Sequence, residues 1–164
     1  MGAGMRQLTI LLIIAASVAV AETPGTVEVK GSLGYTGFAD DSLLNHLQTG
    51  GSAKFYVTKR FSVEPEFQYL KGSGGHYDLI LLPNVNWDLR DGGRVVPFLT
   101  GGVGWTQGLD RFNGTAYRYN QTFFQAGAGW KVHLNDRWHV SPEIRAGSEL
   151  HIRASVAVGY TLHR

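Results

Sequence analysis

The chain has 164 residues, a net charge of only +2 and no cysteine. That length fits one domain, the missing cysteines exclude a disulfide framework or thiolate metal site, and scattered basic residues argue against nucleic acid as a partner. The 22 glycines follow no repeat period and sit mostly inside apolar runs, which points to packed backbone rather than linker.

The N-terminus reads as a targeting segment. In "MGAGMRQLTILLIIAASVAVAETPG", Arg6 precedes an apolar core from Leu8 to Val18, and Ala19-Val20-Ala21 follows. A basic start, a short apolar core and an A-x-A site define a secretory signal peptide. Residues 1–21 are therefore expected to be cleaved, leaving a mature domain over 22–164. No later apolar run reaches the roughly 20 residues of a membrane helix.

The remainder is predicted to be strands at 26–36, 49–58, 60–70, 76–88, 94–106, 119–134, 137–148 and 151–162. "DDSLLNHLQ" (40–48) has spacing for at most one helical turn and is assigned to a loop. The connections "TKR", "RDGG" and "LND" are short and turn-like. Those after strands one, three and five are longer, "TQGLDRFNGTAY" above all. Alternating long and short loops are expected of an up-and-down membrane barrel.

Side-chain alternation carries the argument. Along "HVSPEIRAG", Val140, Pro142, Ile144 and Ala146 share one face, while Ser141, Glu143 and Arg145 share the other. Across all the strands, the apolar parity contains no Asp, Glu, Lys or Arg. The other parity holds Glu28, Lys30, Lys54, Glu64, Glu66, Asp78, Lys131, Glu143, Arg145 and Arg153, together with many Gly and Ser. A soluble lipocalin-like barrel would bury the apolar set around a ligand cavity; a membrane barrel turns it outward. Three features favour the second arrangement. Small residues suit a crowded lumen. Five acids match five bases, as buried charges require. Aromatics also fall at both strand ends. Tyr35, Tyr69, Tyr77, Trp105 and Phe124 lie near the outer boundary if odd strands run outward, and Phe61, Trp87, Trp130, Trp138 and Tyr160 near the inner one. Two such belts match the two interfaces of a bilayer. The expected fold is all-β, an eight-stranded antiparallel up-and-down transmembrane β-barrel. Pro65, Pro83, Pro97 and Pro142 all fall on the lipid face of strands, where bulges or strand ends are expected because proline cannot donate to a ladder.

"VVPFLTGGVGW" (95–105), "FFQAGAGWKVHLNDRWHVSPEIRAG" (123–147) and "VAVGYTL" (156–162) resemble the small eight-stranded outer-membrane barrels around outer membrane protein X and the barrel domain of outer membrane protein A. Strands five to eight carry the resemblance in detail, and the first four share only its pattern. The family's last strand usually ends in an aromatic residue read by the assembly machinery; here Leu162 takes that place, followed by His163 and Arg164. The resemblance implies a bacterial outer-membrane address, contact with outer-membrane lipids and the barrel-assembly machinery, and a monomer. The implied role is structural or surface-interacting, with a lumen plugged by its own charges and not an open pore.

No cofactor is expected, and the six histidines show no metal-ligand spacing. An enzyme of the lipid A deacylase type is the second alternative, because "GSELH" (147–151) brings Ser148, Glu149 and His151 into one turn. Catalysis there would need Ser and His within hydrogen-bond reach. An extracellular ligand, if any, would meet the long loops 36–48 and 106–118 through Asp40, Asp41, Asp110, Arg111 and Tyr117.

Overall fold

The computed structural model describes residues 22–38, 44–72, 77–112, 115–148 and 151–163. These residues form β1 (Val27–Phe38), β2 (Leu44–Tyr56), β3 (Phe61–Lys71), β4 (Tyr77–Asp88), β5 (Val95–Phe112), β6 (Thr115–His133), β7 (Trp138–Gly147) and β8 (His151–His163). Each strand pairs antiparallel with its sequence neighbour, and β8 returns to β1 to close the barrel. Closure removes the sheet edges, which a membrane-spanning sheet cannot leave open in hydrocarbon. The predicted signal peptide, residues 1–21, lies outside the described residues.

The period-two pattern decides which face is which. In β3, exposed and buried residues alternate without a break from Phe61 to Lys71. Leu33, Ile144 and Phe124 are 57%, 56% and 66% exposed, while Glu28 and Arg145 are 0% and 2% exposed. A soluble barrel would show the reverse, so the lipocalin-like alternative fails. The apolar parity is the outer wall.

The interior is not uniformly polar. Leu70, Ile80, Leu82 and Phe123 form a buried apolar cluster inside the barrel. Several rings lie over glycines on the adjacent strand. Phe123 pairs with Gly104, and His139 with Gly159; a Cβ on either glycine would run into the ring. These are close approaches that only glycine permits.

Two loop expectations change. Residues 44–48 belong to β2, not to a helical turn: Leu44 to Gln48 pair with Phe38 to Gly34. Most of 106–118 is a β-hairpin, with β5 and β6 paired without a break from Val95↔Val132 to Phe112↔Thr115. Polar composition suggested loop, but the alternation continues, with Thr106 and Gly108 buried between exposed Trp105 and Gln107. Partner-strand hydrogen bonds satisfy the backbone beyond the apolar band. This hairpin outreaches its neighbours, because β4 pairs with β5 only to Leu109 and β7 pairs with β6 only from Gln125.

Three of the four prolines produce gaps, not bulges, and Pro97 lies at the end of a ladder. Bridges are missing between Ser52↔Glu66 and Phe55↔Val63 around Pro65, between Leu81↔Trp105 and Asn84↔Gly102 around Pro83, and between Gly129↔Glu143 and Val132↔Val140 around Pro142. Register is unchanged across each gap. The same prolines stay paired on their other side, as Pro65↔Pro83 and Pro142↔Val156. Pro97 lies just beyond the last β4–β5 pair, Asp88↔Phe98. A missing N–H thus interrupts one ladder while the other holds the strand in place.

Candidate functional site

Among the described residues, most interior charges fall into two layers. In the middle of the barrel, β3 supplies Glu64 and Glu66, β7 supplies Glu143 and Arg145, and β8 supplies Arg153. Arg145 reaches Glu66 Oε2 through Nη1 and Glu143 Oε2 through Nη2, both at 3.0 Å. Arg153 Nη2 lies 2.6 Å from Oε1 of both Glu66 and Glu143. The four side chains make a closed ring of alternating charge, in which each carboxylate gives one oxygen to each arginine. Because β3 stands across the barrel from β7 and β8, the ring joins opposite walls. Arg145 also donates to Asn84 Oδ1 at 3.1 Å, and Ser155 donates to Glu143 at 3.0 Å. Lys30 pairs with Glu64, whose carboxylate accepts further bonds from Ser52 at 2.6 Å and Asn86 at 2.9 Å. Such satisfaction is what a buried ionic group needs to persist.

The second layer faces the short-turn end. Lys131 Nζ sits 3.1 Å from both Glu22 and Glu28 and 3.7 Å from Asp88. The Tyr56 hydroxyl donates to Asp88 at 2.8 Å and accepts from Lys131 at 2.5 Å. Lys54 pairs with Asp88 at 3.5 Å. Glu22, Tyr56 and Asp88 escaped the sequence reading, whereas Asn84 and Asn86 belong to the polar parity that it turned inward. Asp88 shares the inward parity of Asp78 and was findable. Glu22 precedes the first strand, so no alternation pointed to it. Asp78 lies towards the long-loop end and accepts a 2.6 Å bond from Tyr119.

The aromatic candidates all point outward. Phe61 stacks on Trp87 at 5.8 Å, and Trp138 meets Tyr160 edge-on at 4.8 Å, both at the short-turn end along with Trp130. Tyr69 and Tyr77 approach to 6.1 Å towards the opposite end, where Tyr35, Trp105 and Phe124 also lie. Asp40 and Asp41 fall outside the described residues. Asp110, Arg111 and Tyr117 lie on the projecting β5–β6 hairpin, paired Asp110↔Tyr117 and Arg111↔Ala116.

Ser148 and His151 do not share a side-chain hydrogen bond in this structure. Ser148 Oγ accepts from the Phe124 amide at 3.0 Å. His151 Nδ1 meets the Ser148 carbonyl, not its hydroxyl, at 2.9 Å. Glu149 is outside the described residues. Among the described residues, no group of three or more His, Asp or Glu side chains is arranged to hold a metal ion.

The barrel is thus closed, eight-stranded and antiparallel, with an apolar wall and an ionic interior. The model of the outer membrane protein beta-barrel domain matches residues 8–157. The chain belongs to that family. No curated protein matches it significantly. Among solved structures, this outer-membrane barrel is similar to the N-terminal β-barrel domain of OprF from Pseudomonas aeruginosa, at TM-score 0.73 and 12% identity over 86% of this chain and 100% of that one. It is also similar to Neisserial surface protein A, at TM-score 0.68 and 8% identity over 85% and 98%. OprG of Pseudomonas aeruginosa aligns at TM-score 0.65 and 12% identity over 88% and 99%. At these identities the likeness is one of fold.

Proposed function

We propose that this outer-membrane barrel is a closed structural scaffold that presents its projecting hairpin at the cell surface, and that it is not a general diffusion pore. The observation that carries this reading is the Arg145–Glu66–Arg153–Glu143 ring. It bridges opposite walls with four buried charges, and the second layer around Lys131 lies beyond it. A solute crossing the lumen would have to part both layers, and stranding one buried charge costs about 3–5 kcal/mol. An eight-stranded barrel has an interior just wide enough for its own side chains. On this reading the protein resides in the bacterial outer membrane as a monomer, inserted by the assembly machinery and surrounded by lipid. Its exchange with the outside then falls to the long-loop end.

Purified protein reconstituted into liposomes tests the proposal. The expected result is no swelling in an iso-osmotic small sugar and no sustained ionic current in a planar bilayer. Swelling at the rate of an open porin would overturn it.

A further inference from the structure

Beyond the arginine–glutamate ring, towards the long-loop end, the interior opens into a chamber of mixed character. It is small, with a cavity volume of about 40 Å³. A single water needs roughly 10–15 Å³ by that measure. The enclosed part therefore fits a head group of a few heavy atoms, and the rest of any occupant must lie towards the mouth.

We propose that this chamber binds a small uncharged molecule carrying a carbonyl-type oxygen and a short apolar body. Three of the residues that line it each carry a buried donor without a hydrogen-bond partner: Gln68 Nε2, Gln125 Nε2 and Arg153 Nη1. Their residues are 2%, 5% and 2% exposed. They come from three strands, β3, β6 and β8. Buried donors of this kind are costly unless something accepts from them, so an acceptor oxygen is the complementary group. Ile80 and Phe123 supply the apolar wall, with Phe123 fixed edge-on against His151 at 5.0 Å.

Charge selects against ions of either sign. The cation of Arg153 is already shared between Glu66 and Glu143, so the floor offers no net positive charge to an anion. The Asp78 carboxylate, held by Tyr119, stands on the same wall and repels one. A cation gains the Asp78 carboxylate, already held by Tyr119, but supplies no acceptor to the three donors. The proposal is independent of whether the lumen conducts, because the chamber lies on the long-loop side of the ring.

Propionamide, propionate and n-propylammonium are matched in size and differ in charge. Each is titrated at neutral pH into the folded full chain in detergent, and the side-chain amide signals of Gln68 and Gln125 are followed by NMR. Propionamide is expected to shift both signals saturably, and propionate and n-propylammonium to bind at least tenfold more weakly. Gln125→Leu and Gln68→Leu are each expected to weaken propionamide about tenfold, the scale of one lost hydrogen bond. Heat-dependent gel mobility checks that each variant is folded. Unmoved amide signals, equal binding of propionate, or unchanged affinity in both folded variants would overturn the proposal. If a leucine variant does not fold, the comparison of the three probes on the native chain still decides.

Discussion

Arg145 and Arg153 differ from ordinary surface arginines because each is buried and spans two carboxylates. Removing one leaves Glu66 and Glu143 with excess buried negative charge. Arg153→Met is expected to destabilise the barrel by about 3–5 kcal/mol, read as a lower urea midpoint. Adding Glu143→Gln is expected to recover part of that loss, since the stranded charge goes with it. Glycines give a second contrast. A Cβ at Gly159 would collide with the His139 ring, whereas Gly31 has nothing within 4 Å. Gly159→Ala is expected to cost about 1–3 kcal/mol through overpacking, and Gly31→Ala to be neutral or slightly stabilising through reduced chain entropy; the same urea titration compares them. Inward parity identified Glu66, Glu143, Arg145 and Arg153 as interior residues from sequence alone. Their ring was not legible, because it depends on which strands face one another across the closed barrel.

At the scale of strands and turns, cross-strand aromatic pairs and side-chain-braced turns set the register. Phe61 and Trp87 are direct neighbours on β3 and β4 and lie flat on each other. A double-mutant cycle to alanine is expected to return a coupling of about 0.5–1.5 kcal/mol; additive losses would show that the stack contributes no more than burial. The β6–β7 turn is braced by Asn135, whose Oδ1 accepts from the amides of Arg137 at 2.9 Å and Trp138 at 2.8 Å. Two neighbouring turns at the same end are tied by Arg60 and Asp91. The hydrogen bond from Arg60 holds the Asp91 carboxyl below its ordinary pKa. A group so lowered stabilises the fold above its unfolded pKa and loses that contribution as pH falls through the folded value. The effect of Arg60→Gln on the urea midpoint is therefore expected to be small at neutral pH, as surface pairs are, and to vanish well below the ordinary aspartate pKa of about 3.9. Two of the short turns, "RDGG" and "LND", could be read from Asn, Asp and Gly in the sequence. The strand extensions at 44–48 and 107–112 could not, because polar residues past the apolar band look like loop until the partner strand is known.

For the whole molecule, the decisive property is inversion: charge inside and hydrocarbon-facing side chains outside. Such a barrel resists detergent, so it is expected to migrate at different positions on a gel before and after boiling; identical mobility would contradict the closed fold. Fold class and orientation were legible because eight strands alternate in step. The chamber was not, because Leu70, Ile80, Leu82 and Phe123 share the inward parity with charged residues. Only closure shows that they gather on one side of the interior.

The long β5–β6 hairpin has a mechanical consequence. Anything that grips its tip pulls both strands in the same direction, so their mutual ladder carries little of the load. The force passes instead to the flanking β4–β5 and β6–β7 seams, along the strand direction, in shear. Each seam is divided by its proline gap, which leaves outer blocks from Tyr77↔Leu109 to Leu81↔Trp105 and from Gln125↔Gly147 to Gly129↔Glu143. Those blocks take the load nearest the tip, and the gaps at Pro83 and Pro142 separate them from the pairs on the Lys131 side of the barrel.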